Sequence, residues 1–203
     1  MSDRLSKCFT RQLELLNKFH VIELANLPDT YQPSSGSYSF NEADFNSYAG
    51  QRRLRELAWR VVEEVGEMID AERSADRLKE VADIFHFLLE FFLIAEVTIP
   101  HPLIDDDESD RLQYWFSYPT GSGFISPWLR FVAEISLAIN ELKNRGWKQT
   151  PRVTNLTQFK FHARRSFHAF VSACQSESIT LEALLNAYFG KADENAQRIQ
   201  DGV

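Results

Sequence analysis

The sequence predicts an all-α fold, a helical bundle built around a central antiparallel helix pair. Three observations carry this. Apolar residues recur at helical spacing in about six stretches, and strand-like alternation over more than four residues is rare. Between Trp59 and Phe92, two such stretches are separated only by the short polar break Glu72–Asp76. Each of the two carries an acidic pair at i, i+3, Glu64 with Glu67 and Glu80 with Asp83, a spacing that puts both members on one helix face. Helices folded back on each other across that break bring four carboxylates to one groove. Oxygen-only ligands of this kind suit Mg²⁺, with Mn²⁺ an alternative.

Acidic pairs at this spacing are also common on solvated helix faces. Around Glu80 and Asp83, however, stand Val81, Ile84, Phe85, Phe87, Leu88, Leu89, Phe91 and Phe92, which make that helix apolar nearly all round and predict its burial. A buried carboxylate needs a partner, and no Lys or Arg lies between Val81 and Ile99. A metal ion is the simplest one.

The first helix is predicted over residues 3–22, with Leu5, Phe9, Leu13, Leu16 and His20 at helical spacing. Gln12 and Asn17 lie near that face, either as solvent-facing polar residues or as hydrogen-bonding groups for a nucleobase. Residues 25–41 are rich in Pro, Ser and Gly and form a loop, with Ser39 or Asn41 placed to cap the next helix. That helix runs from about 42 to 73. Its arginines 52, 53, 55 and 60 are expected to pair with neighbouring Glu56 and Glu63.

The third helix, 75–97, ends before Pro100 and Pro102. Residues 100–123 form an excursion; the acidic run Asp105–Glu108 lacks the glycine and alternating ligands of a calcium loop. Pro127 fits the first turn of a helix over 128–144, with the stripe Leu129, Val132, Ile135, Ile139 and Leu142. The basic turn Lys143–Lys148 reads equally as an exposed connector or a phosphate contact. A helix over 157–174 carries Phe159, Phe167, Phe170 and Val171, with His162 and His168 as packing or surface residues. The last helix runs from about 180 to 200.

The 203 residues fit a single domain spanning 1–203. A net charge of −7 argues against a nucleic-acid binder, whose footprint would be basic. Two cysteines are too few for a disulfide framework. The N-terminus lacks the apolar core of a signal peptide, and the run Ile84–Ile99 is interrupted by His86, Glu90 and Glu96. The expectation is a soluble cytoplasmic protein with no membrane or nucleic-acid partner. Sixteen Phe point to aromatic-rich packing or a large subunit interface.

Near the C-terminus, Tyr188, Lys191, Asn195 and Arg198 are spaced 3, 4 and 3, so they project from one helical face. A phenol, an ammonium, an amide and a guanidinium on one face form a set of donors for phosphate oxygens. An exposed amphipathic tail with unrelated charges is the alternative.

Together, the two acidic pairs, the run Asp83–Phe87 and the terminal pattern from Tyr188 through Gly202 resemble the all-α NTP pyrophosphatase superfamily. Within it the chain looks most like the dimeric dUTPases and the phage dCTP/dUTP pyrophosphatases. The likeness covers residues 56–97 and 180–203 and is faint over 3–22, leaving 100–180 as a family-variable insertion or interface region. It implies that Glu64, Glu67, Glu80 and Asp83 bind metal and serve catalysis, with Glu63 a further candidate for orienting water. It implies triphosphate contacts from Lys191, Asn195, Arg198 and Tyr188, packing of Phe87 on the sugar, and base reading by Gln12 and Asn17. Ile199 and Val203 depart from the family's usual Gln and Tyr.

The activity implied is Mg²⁺-dependent hydrolysis of dUTP or dCTP, or both, to the monophosphate and pyrophosphate by a homodimer. The alternatives are a hydrolase of another modified or purine dNTP and a catalytically silent nucleotide-sensing module. A di-iron carboxylate protein is disfavoured, since neither acidic pair contains the His such a site uses.

Overall fold

The computed structural model of the chain describes residues 2–26, 48–97, 125–144 and 153–202. These form six α-helices: α1 Ser2–Asn26, α2 Tyr48–Asp70, α3 Ser74–Ile94, α4 Pro127–Asn140, α5 Leu156–Ser176 and α6 Leu181–Asp201. No strand occurs among the described residues. Helix α1 takes in Ala25 and Asn26, the first two residues of the predicted loop over 25–41; the rest of that loop, the caps Ser39 and Asn41, the excursion at 100–123 and most of the basic turn lie outside the described residues.

The apolar stripe of α2, Leu54, Leu57, Ala58, Val61, Val65 and Met68, is buried and packs along α3. Glu67 lies beside Glu80 and Arg53 bonds Glu90 at 2.9 Å. Residue numbers therefore rise along one helix as they fall along the other, and the pair is antiparallel. Helix α3 is the hub, since α1, α2, α5 and α6 all pack on it. Its side chains Val81, Ile84, Phe85, Leu88, Leu89, Phe91 and Phe92 are buried, as an all-round apolar pattern requires.

The buried phenylalanines among the described residues join one connected core. Phe85 stacks on Phe170 with centroids 5.7 Å apart, Phe131 meets Phe170 at 5.5 Å and Phe92 meets Phe167 at 6.1 Å. These contacts tie α3 to the α4–α5 pair. Such offset and edge arrangements contribute about 1 kcal/mol each beyond the burial of their area.

Helix ends follow local chemistry. Ser126, Asn155 and Thr180 cap α4, α5 and α6 by accepting from the backbone N–H of Leu129, Gln158 and Ala183. Helix α3 stops before the prolines expected to end it. Glu96 turns left-handed, with φ 49°, while Glu96 N–H bonds Leu93 O and Val97 N–H bonds Phe92 O, a pattern that satisfies the last free carbonyls.

Two predicted stripes are rotated. On α1 the buried positions are Cys8, Gln12, Leu15 and Leu16, because this helix packs on α3 and α6 together. On α4 they are Trp128, Phe131, Glu134, Ile135 and Ala138, with Leu142 buried just beyond its end, and Leu129 is exposed.

Candidate active site

One face of α3 carries Glu80, Asp83, His86, Phe87 and Glu90, which line an open cavity of about 1090 Å³. Their spacing of three or four places them in one row. Opposite them stand Glu63, Glu64 and Glu67 of α2, and Lys191, Asn195 and Arg198 of α6; Gln12 of α1 completes the wall.

Carboxylate oxygens of Glu64, Glu67 and Glu80 all lie within 4.8 Å of one another. Burial, followed by the charges of Asp83, Glu67 and Glu80, pushes the Glu64 carboxyl up to about 7. Glu80 is raised by burial and then by Asp83 and Glu67. Asp83 is raised by burial and held back by its bond to Lys191. These are the signs of negative charge packed more densely than solvent can stabilise. Three oxygen donors with unbalanced charge fit a hard divalent cation.

The predicted quartet is thus a trio with Asp83 alongside. The Asp83 carboxylate accepts from Lys191 Nζ at 2.7 Å, and its charge is the largest electrostatic influence on Glu64. Lys191 also shows that metal is not the sole partner for acids on α3. That cation comes from far along the chain, as does Arg53, which bonds Glu90.

Glu63 lines the cavity but accepts from Trp59 Nε1 at 2.8 Å and Arg60 at 3.0 Å. The pairing expected of the α2 arginines holds for Arg52 with Glu56 and for Arg60 with Glu63. Arg55 instead bonds the carbonyl oxygens of Leu142 and Asn144. His162 lies outside the cavity and bonds buried Glu134 at 3.0 Å.

Two predicted substrate contacts, Tyr188 and Asn17, do not line the cavity. Tyr188 does not share the cavity-lining face of Lys191, Asn195 and Arg198. It is fully buried, with its hydroxyl 2.9 Å from Cys8 O and 3.1 Å from Gln12 Oε1. The reason is that Leu184, Tyr188, Ala192 and Ala196 form the core stripe of α6, and a spacing of three leaves Tyr188 on the inner edge of the row. Asn17 is exposed and does not line the cavity. Gln12 does line it, but as a buried residue whose Oε1 lies 2.7 Å from His86 Nδ1. It is not the solvent-facing residue of the simpler reading.

His86 and Lys79 were missed as cavity residues. For His86 a signal existed, since it is the one polar residue between Ile84 and Leu89, three positions after Asp83. Burial keeps its imidazole neutral, with the pKa pushed down to about 4. Lys79 precedes Glu80 and carries no comparable mark.

An all-α protein whose acidic trio faces a lysine and an arginine across one cavity has the make-up of a nucleotide pyrophosphatase. A family model described as dUTPase matches residues 61–202, and the chain belongs to that family. This establishes a nucleotide pyrophosphatase with a nucleotide substrate. No curated protein and no solved structure matches the chain. No helix among the described residues is long and apolar enough to cross a membrane.

Proposed function

We propose that this protein hydrolyses dUTP or dCTP, or both, to the nucleoside monophosphate and pyrophosphate, using Mg²⁺ with Mn²⁺ as a substitute. The observation that carries the reading is the clustering of Glu64, Glu67 and Glu80 within 4.8 Å in the cavity that Lys191 and Arg198 also line. Glu64, Glu67 and Glu80, with Asp83 beside them, would hold the divalent cation. When bound, it supplies charge neutralisation for phosphate oxygens and acidifies water.

The chain's own side chains supply the rest. Glu64 or Glu67 would orient the attacking water for in-line attack on phosphorus. Lys191 and Arg198 offset charge that moves onto the departing pyrophosphate, and Asn195 adds an amide donor on the same face. Phe87, partly buried against the core and exposed to the cavity, offers a flat apolar surface for the sugar. A homodimer in the cytoplasm is part of the same proposal.

A panel of dNTPs and NTPs, with pyrophosphate detection and with Mg²⁺ present or chelated, tests it. Release confined to dUTP, dCTP or both and dependent on the cation is the expected result. Release only from another nucleotide moves the substrate assignment. Stabilisation by nucleotide and Mg²⁺ without release from any substrate would instead mark a binding module. Light scattering of the purified chain reads the oligomeric state.

A further inference from the structure

Where α1, α3 and α6 meet, Gln12, His86 and Tyr188 form a buried polar triangle in an otherwise apolar core. The structure places Gln12 Oε1 inward, 2.7 Å from His86 Nδ1 and 3.1 Å from Tyr188 Oη, and the hydrogen bonds around it argue for exchanging that oxygen with the amide nitrogen. Two backbone carbonyls bound the triangle. Cys8 O is 2.9 Å from Tyr188 Oη, and Tyr188 O is 3.3 Å from His86 Nε2.

Carbonyl oxygens only accept, and the triangle can be solved from them outward. The single phenolic proton goes to Cys8 O, so Tyr188 Oη turns a lone pair toward Gln12. His86 Nε2 meets a carbonyl, so that nitrogen carries the proton of the neutral ring and Nδ1 is left as an acceptor. Two acceptors then face one end of the Gln12 amide. Only the amide nitrogen, with two hydrogens, serves both.

The two ends of the amide are isosteric, so exchanging them leaves the shape of the site unchanged. The exchange is decisive for hydrogen bonding, however. With nitrogen inward, four bonds form. With oxygen inward, the Nε2 lone pair faces a carbonyl, one phenolic proton must serve two acceptors, and two bonds form. Buried polar groups favour the saturated arrangement.

We propose that His86 and Tyr188 lock the Gln12 amide with its nitrogen inward and its carbonyl oxygen toward the cavity, making Gln12 a dedicated acceptor for an N–H on the ligand's base edge. The ligand part of this rests on the nucleotide reading given above; the lock itself does not. His86 is on this account a positioning residue. The base it selects for bears a hydrogen at that edge, the N3–H of a uracil or the amino group of a cytosine. Alkylated edges are refused.

Long-range ¹H–¹⁵N correlation on the ligand-free, full-length protein reads the ring proton directly, with His86 assigned through its stacked neighbour Tyr188, centroids 4.2 Å apart. A proton on Nε2 and a bare Nδ1 are expected; a proton on Nδ1 overturns the lock. In Gln12→Glu the carboxylate cannot donate, so Nδ1 should gain a proton, and an Nδ1 still bare overturns it equally. Kinetically, dUTP against N3-methyl-dUTP, and dCTP against its N4,N4-dimethyl analogue, should differ in KM by about tenfold or more, with less change in kcat. His86→Phe keeps the stacking and should narrow that gap. Equal KM values for parent and methylated nucleotides in the unaltered protein overturn the acceptor role. Failure to cleave any nucleotide overturns the function proposed above and with it the ligand assignment, while the ring proton still decides the lock.

Discussion

Lys191 Nζ sits 2.7 Å from Asp83 Oδ2, joining residues 108 positions apart. The bond seats a cation of α6 at the edge of the acidic cluster on α2 and α3, and it restrains the rise that burial imposes on the Asp83 carboxyl. The same ammonium lines the cavity where a phosphate chain would lie. Replacing it by Met should lower kcat by roughly 10²–10³-fold, the scale seen when a donor to developing oxyanion charge is removed. Helix content by circular dichroism should be retained. A loss of less than fivefold in steady-state assays would remove Lys191 from the reaction.

The Glu64 carboxyl predicts a pH dependence of stability. Its folded pKa, about 7, lies above the ordinary value of 4.5, so the folded state prefers the protonated form. The associated stability is fully present below pH 4.5 and is lost as pH rises through 7. The full shift corresponds to ~3 kcal/mol, and partial solvent exposure of the site reduces this to about 1 kcal/mol. Without divalent cations, Glu64→Gln should therefore be more stable than the natural protein at pH 8 and no more stable at pH 4. Urea unfolding in chelator across that range measures the difference. A variant equally destabilised at both ends contradicts the assignment.

How much of this was legible in the sequence depends on period and distance. The antiparallel pair could be read because Glu64, Glu67, Glu80 and Asp83 repeat a local spacing on both sides of a short break. The partner of Asp83 could not, because nothing local to α3 announces Lys191. Tyr188 shows the limit of face arithmetic. A row spaced 3, 4, 3 spans an arc wide enough for one end to enter the core while the other meets solvent. Leu13 and Leu129 mark the same limit on α1 and α4, where the choice of neighbouring helices fixes which apolar side is covered. Helix α1 also lies outside the span matched by the family model. The resemblance anticipates Gln12 at the site, and the packing of α1 on α3 and α6 brings it into the cavity wall.

Tyr188→Phe separates packing from phosphate binding. The ring remains stacked on His86 and edge-on to Phe85 at 5.5 Å, while the hydroxyl bonded to Cys8 O is lost. Thermal unfolding should show a loss of about 1 kcal/mol. At saturating substrate kcat should fall far less than in Lys191→Met, since the hydroxyl points into the core. A collapse in kcat equal to that of Lys191→Met would restore Tyr188 to the phosphate contacts.

Glu134 offers a control remote from the cavity. It is buried on α4, with Arg165 at 2.8 Å, His162 at 3.0 Å and Arg130 at 3.2 Å. Neutralising it in Glu134→Gln weakens a buried charge network, which should destabilise the fold by roughly 3 kcal/mol. Specific activity per folded molecule should remain within twofold below the unfolding transition. Calorimetry paired with the pyrophosphate assay checks both, and an activity loss without a stability loss would place Glu134 in the reaction.

Glu67 separates the two readings of the acidic trio. It is the exposed member, so Glu67→Ala removes no core contact and should change stability by under about 0.5 kcal/mol, as for ordinary surface positions. If the trio holds a divalent cation, the loss of one ligand oxygen should weaken Mg²⁺ or Mn²⁺ binding by about tenfold or more in titration calorimetry and abolish turnover at ordinary cation concentrations. Excess cation should recover part of the activity, because the remaining carboxylates of Glu64 and Glu80 are still in place. Asp83→Ala should also abolish turnover, with a larger effect on stability, since it leaves Lys191 facing a half-buried gap. Near-normal hydrolysis and unchanged cation affinity in Glu67→Ala would reduce the cluster to neighbouring surface acids and leave the reaction without its metal site.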